Sequence, residues 1–94
     1  MYLIGLELMI TIPQAYSLKD KRRVVKSIIE RAQHRYKMTA SQLSDDQVYN
    51  QATIGFGIIT PHYNQGREKL MRVMEWIEES YDVSIINYEW IESL

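Results

Sequence analysis

Cysteine is absent from this 94-residue chain, which therefore has no thiol nucleophile, thiolate zinc site, iron–sulfur ligand set or disulfide framework. The same absence fits a reducing, cytoplasmic setting. Histidine is nearly as scarce: His34 and His62 stand far apart, with no further ligands at metal-binding spacing, so no metal or cofactor is expected. Glycine occurs four times and never as a phosphate-cradling loop, since Gly55 and Gly57 lie inside an alternating segment rather than ahead of a helix. Long apolar runs are also missing. The longest, Tyr2 to Ile12, is broken by Glu7, is too short to span a bilayer and lacks the basic lead of a signal peptide. No linker, repeat or low-complexity run divides the chain, so one domain over 1–94 is expected. What remains is the balance of an ordinary globular protein with a single core: 46 % apolar and 24 % charged residues, which excludes a disordered tail.

From Tyr2 to Ile12 the residues alternate, with Tyr2, Ile4, Leu6, Leu8, Ile10 and Ile12 on one face and Glu7, Met9 and Thr11 on the other. A period of two predicts a strand with one buried face, and Pro13 stops it because proline has no amide hydrogen for a ladder. Ser17 then reads as a helix N-cap, with Asp20 three residues on as a variant capping box. Leu18, Val25, Ile28, Ile29, Ala32 and Tyr36 form a helical stripe that predicts a helix ending near Arg35–Lys37. A weaker strand is expected around Met38 to Leu43, and the polar residues Ser44 to Gln47 read as a turn. Ala52 to Thr60 alternates again, placing Ile54, Phe56 and Ile58 opposite Thr53, Gly55, Gly57 and Ile59. Pro61 and Asn64 precede a second helix with the stripe Leu70, Val73, Met74, Ile77 and Tyr81. Trp76 falls outside that stripe and is assigned to local packing. In the final segment, Val83 to Glu92, Ile86, Tyr88 and Trp90 take the buried side against Asn87, Glu89 and Ile91.

The order strand–helix–strand–strand–helix–strand predicts an α+β, ferredoxin-like βαββαβ fold, a four-stranded antiparallel sheet with both helices on one face. The other face is then uncovered. It would collect Glu7, Met9, Thr11, Thr53, Gly55, Gly57, Ile59, Asn87, Glu89 and Ile91, with the two strand glycines marking a flat patch where another subunit could come close.

A formal net charge of −1 hides a segregation. Residues 17–37 hold eight basic side chains against two acidic ones, a net of +6, whereas the rest hold three against ten, a net of −7. At about 100° per residue, Lys19, Arg22, Arg23 and Lys26 share one flank of the first helix, and Arg31 and Arg35 share the other. Lys21 lies nearer the apolar stripe, so its stem is expected to pack while its ammonium reaches out. With the partial positive charge of the helix N-terminus, these residues form a phosphate-contacting patch that would give affinity without sequence discrimination. The bland alternative is a solvated helix face, with Ser17 and Asp20 satisfying the terminal amides and Glu30 diluting the charge.

Other chemistries lack their residues. Small acylphosphatases share this fold class and hold phosphate on an arginine and backbone amides in the first strand-to-helix loop; here that loop reads Pro13-Gln14-Ala15-Tyr16-Ser17, with no arginine. Glu78–Glu79 and Asp45–Asp46 are adjacent pairs whose side chains diverge on regular structure, so no acid–base pair is assigned and no enzymatic activity is expected. A sheet that stacks single-stranded RNA would need exposed rings, yet the register places Phe56, Tyr88 and Trp90 under the helices.

The stretch Ile12-Pro13-Gln14-Ala15-Tyr16-Ser17-Leu18-Lys19-Asp20-Lys21-Arg22-Arg23-Val24-Val25-Lys26-Ser27 resembles the signature of the YlxP-like family of small bacterial proteins, and Tyr49-Asn50-Gln51-Ala52-Thr53-Ile54-Gly55 is similar to that family's third-strand start. The resemblance covers essentially the whole chain, with Gln14 where glycine is usual and Tyr49 where tryptophan is common. It implies a ferredoxin-like fold and no established activity, in a family whose genes commonly lie among those for translation and ribosome maturation. Two functional expectations follow. The first is a cytoplasmic, non-enzymatic accessory protein that binds structured, ribosomal RNA or a ribosomal subunit through Lys19, Lys21, Arg22, Arg23 and Lys26, with Arg31 and Arg35 as outlying contributors. The second is a homo-oligomer, in its simplest form a homodimer, that packs Met9, Ile59 and Ile91, with Gly55 and Gly57 between them, against a second copy.

Overall fold

The computed structural model describes residues 1–44 and 48–93 and has the element order β1 (Tyr2–Thr11), α1 (Leu18–Tyr36), β2 (Thr39–Gln42), β3 (Gln51–Thr60), α2 (Tyr63–Ser80) and β4 (Ser84–Ser93). The sheet order is β2-β3-β1-β4, antiparallel at every pairing, so each helix joins two parallel strands that have a third between them. This is the ferredoxin-like βαββαβ arrangement that the periodicities predict. No helix of the described residues is long and apolar enough to cross a membrane.

One sheet face carries the core. Ile4, Leu6, Leu8 and Ile10 of β1, and Ala52, Ile54 and Phe56 of β3, point at Val25, Ile28 and Ala32 of α1 and at Leu70, Val73 and Ile77 of α2; all are buried. Their pairing (Leu6 opposite Phe56, Leu8 opposite Ile54) keeps every even-numbered residue of these strands on the helix side. Gly66 sits where α2 packs against Thr60 and Ile4 of the sheet. A Cβ there would lie 2.7 Å from Thr60 Cγ2 and 2.8 Å from Ile4 Cδ1, so the close approach requires glycine.

Trp76 packs locally, as expected: it is buried on α2 in an aromatic cluster with Tyr36 (5.8 Å between centroids) and Tyr81 (5.7 Å). Two sequence expectations need correction. The simple alternation of the last strand fails at a β-bulge: Met9 faces Asn87 but Ile10 faces Ile85, leaving Ile86 as the extra residue. Ile86 is consequently exposed, and Tyr88 is 51 % exposed at the sheet edge although it keeps the helix-side register opposite Leu8. The second strand is shorter than expected, Thr39–Gln42, and of the turn expected at 44–47 the positions 45–47 lie outside the described residues.

The far end of β4 is fastened to α2 by a cluster with no local sequence signature. Arg67 lies 3.9 Å over the Trp90 ring and donates to the Tyr63 hydroxyl (3.0 Å) and Glu92 Oε1 (2.9 Å), while Tyr63 donates to the same carboxylate at 2.7 Å. The Tyr63 hydroxyl first, and then Glu92, hold the Arg67 guanidinium above its ordinary pKa.

Candidate nucleic-acid interface

The basic helix starts with its terminal amides in use. Ser17 is extended (φ −158°, ψ 166°) and its Oγ accepts from the Asp20 N–H at 3.1 Å. Asp20 Oδ2 in return accepts from the Tyr16 N–H at 3.0 Å, one residue before the usual partner of a capping box. The helix N-terminus is thus served by its own side chains, and the electropositive surface is left to lysines and arginines further along.

The structure sorts the seven candidate cations into three environments. Lys19, Arg22, Arg23 and Lys26 are exposed on the flank that continues to Gln33, whose Nε2 donates to the Ala40 carbonyl of β2 (3.2 Å). Among the described residues, Lys19, Arg22 and Arg23 make no ion pair, and Lys26 makes only a loose one to Glu30 on its own helix, at 3.9 Å with both side chains well exposed. Such a solvated pair neutralises little.

Lys21 departs from the expectation. It is 2 % exposed, and its Nζ donates to the Val48 carbonyl at 2.7 Å in the β2–β3 connection. Its place in the buried stripe with Val25, Ile28 and Ala32 keeps the ammonium inside, where it pins the connection rather than reaching out into solvent. The Ile12 N–H donates to the Asn50 carbonyl (2.8 Å) in the same connection, securing it to the end of β1 as well.

Arg31 and Arg35 occupy the flank that faces α2. The Arg31 guanidinium lies 5.3 Å from the Trp76 centroid and 5.4 Å from that of Tyr81, and donates to the Tyr81 hydroxyl at 3.0 Å; Ser27 and Tyr81 also share a 2.7 Å hydrogen bond. Arg35 lies 5.5 Å over Tyr36. Among the described residues neither makes an ion pair, and their geometry is set by aromatic rings of the helix pair.

The uncovered sheet face holds the second candidate set. Met9, Ile59 and Ile91 are exposed there, joined by Leu3 and Leu43, which sequence reasoning did not name. Gly5 stands opposite Gly57 and beside Ile91, levelling the centre of the face. Gly55 differs, because Leu43 from the end of β2 lies over it: a Cβ would meet Leu43 Cδ1 at 2.9 Å. Close approach at Gly55 is therefore made by this chain's own side chain.

Residues 4–90 match the family described as "Protein of unknown function (DUF503)". Among curated proteins the chain is similar to the uncharacterized protein YlxP of Bacillus subtilis (strain 168), with 27 % identity over 78 residues that cover 81 % of this chain and 85 % of the relative. Among solved structures it is similar to a de novo designed protein with a ferredoxin fold, solved by solution NMR, with a TM-score of 0.59 and 18 % identity over 99 % of this chain and 84 % of that one. At that identity the likeness concerns the fold alone.

Proposed function

Because the chain belongs to the DUF503 family, whose members carry no assigned activity, we propose from its own geometry that it is a non-enzymatic accessory protein that binds structured RNA, ribosomal RNA in the first instance, through the exposed flank of α1. The carrying observation is that Lys19, Arg22, Arg23 and Lys26 stand together in solvent with, among the described residues, only the 3.9 Å contact to Glu30 to neutralise them. Four cations on one helical flank fit a phosphate backbone, and the absence of exposed rings on the central strands fits backbone contact rather than base stacking. Arg31 and Arg35 extend the positive field toward α2 without being placed to follow the same phosphate track.

Fluorescence anisotropy with labelled ribosomal RNA at two salt concentrations tests this. Four phosphate contacts give a slope of log K against log salt of about −3 to −4. The variant Arg22→Ala/Arg23→Ala/Lys26→Ala should lose most of that slope. Equal and weak binding by wild type and variant would end the proposal.

A second reading rests on the open sheet face, where Leu3, Ile59 and Ile91 surround the Gly5–Gly57 pair: a homodimer that buries these residues between two copies. The two are compatible, since a dimer would carry two basic flanks. Light scattering decides it; a monomer at every concentration removes the dimer.

A further inference from the structure

The outer edge of β4 and the face of α2 beside it form a groove that nothing in the RNA reading uses. Its volume is about 400 Å³ and it is lined by Met71, Met74, Ile85, Ile86 and Tyr88, with Glu75 and Glu78 along the helix side. Met71, Ile86 and Tyr88 are all about half exposed, so three large apolar side chains stand together in solvent. Among the described residues, no basic side chain lines this groove.

The backbone beside it is open as well. The Leu43 N–H donates to the Thr53 carbonyl, so Thr53 turns its polar groups toward β2 and Ile54 turns its own toward β1. Alternation then directs Leu8 toward β3, and Tyr88, opposite Leu8, directs its N–H and C=O away from β1. Trp90 follows the same parity. Consistently, the Tyr88 N–H is taken by the Asn87 side chain, Oδ1 at 2.9 Å, and not by the ladder. Among the described residues, one amide side chain is thus the plug on an otherwise unpaired edge. Incoming chain would displace it and lay its own side chains into the groove.

We propose that the β4 edge and the Met71–Tyr88 groove accept an extended peptide segment added as a fifth strand, whose helix-facing positions, every second residue, carry both apolar and basic side chains. The apolar side chains enter between α2 and β4, the backbone pairs with Tyr88 and Trp90, and lysine or arginine meets Glu75 and Glu78. Charge chooses the occupant: the rim is acidic, whereas a second copy of this chain would bring the same carboxylates against themselves at a symmetric edge-to-edge contact.

The test uses the full chain and three labelled heptapeptides with threonine at every even position: one with valine and lysine alternating at the odd positions, one with valine and glutamate there, and the valine–lysine peptide with alternate backbone nitrogens methylated. Saturable anisotropy is expected for the first alone. Glu75→Lys/Glu78→Lys, whose positions are exposed and leave the core intact, should weaken it about tenfold. Asn87→Ala should strengthen it severalfold by freeing the Tyr88 N–H. The proposal is overturned by absent saturation, by equal binding of the methylated peptide, or by indifference to the double charge reversal. It is also overturned if sedimentation finds a dimer that Ile86→Lys separates into monomers, since the groove would then belong to a second copy.

Discussion

The two flanks of α1 carry the same kinds of side chain in different surroundings. On the flank toward β2, Lys19, Arg22, Arg23 and Lys26 extend into solvent; on the flank toward α2, Arg31 and Arg35 lie over Trp76, Tyr81 and Tyr36. Between them Lys21 is enclosed altogether. A lysine or arginine therefore acquires its role from what its helix packs against: the first flank is available to a polyanion, the second braces the helix pair, and the middle position anchors a connection.

The largest expected effect removes the enclosed cation. Lys21→Ala deletes a fully buried stem and the hydrogen bond to Val48, and should lower the unfolding free energy by about 3 kcal/mol in urea titration. Where the protein remains folded, its RNA affinity should be unchanged; a selective loss of binding at full stability would return Lys21 to the interface. Next comes the solvated flank: Arg22→Ala/Arg23→Ala/Lys26→Ala should weaken RNA binding at low salt by about a hundredfold, about 2.7 kcal/mol, with stability unchanged within about 0.5 kcal/mol. Arg31→Ala should do the reverse. It forfeits the ring contacts and the Tyr81 hydrogen bond, costing about 1 kcal/mol of stability while changing RNA affinity only about threefold. If Arg31→Ala and the triple variant had matching effects on binding, the two flanks would be one surface. The smallest effect is Glu30→Gln, which releases Lys26 and should raise RNA affinity about twofold, measured by the same anisotropy titration.

Regular patterns were readable where a residue's neighbours are local. Tyr2 to Thr11 and Leu18 to Tyr36 follow periods of two and 3.6, and Ser17 and Asp20 mark the helix start through bonds spanning only three or four residues. The misreadings share a physical cause: each depends on a partner distant in sequence. Lys21 reads as a surface charge until Val48, 27 residues on, is brought beside it. Ile86 reads as buried on an unbroken alternation, which the bulge opposite Met9 and Ile10 interrupts through the β1–β4 register, whereas Tyr88 keeps its register and is exposed because β4 is an edge strand. Arg67 carries no local hint of Glu92. Of the candidate site, the charge segregation was legible and the division of its cations was not, because that division is decided by Trp76 and Tyr81 on another helix.

The fastening of the β2–β3 connection also constrains how the molecule breathes. Lys21 grips Val48 from inside α1, and the Ile12 amide grips Asn50 from the end of β1, so three segments remote in sequence meet at one corner. Opening that corner exposes a buried ammonium and two backbone groups at once, which favours concerted release over fraying one strand at a time. The Ile12 amide should accordingly exchange with deuterium at the slow rate of the central strands, and Lys21→Ala should accelerate it ahead of the amides of Leu6 and Leu8.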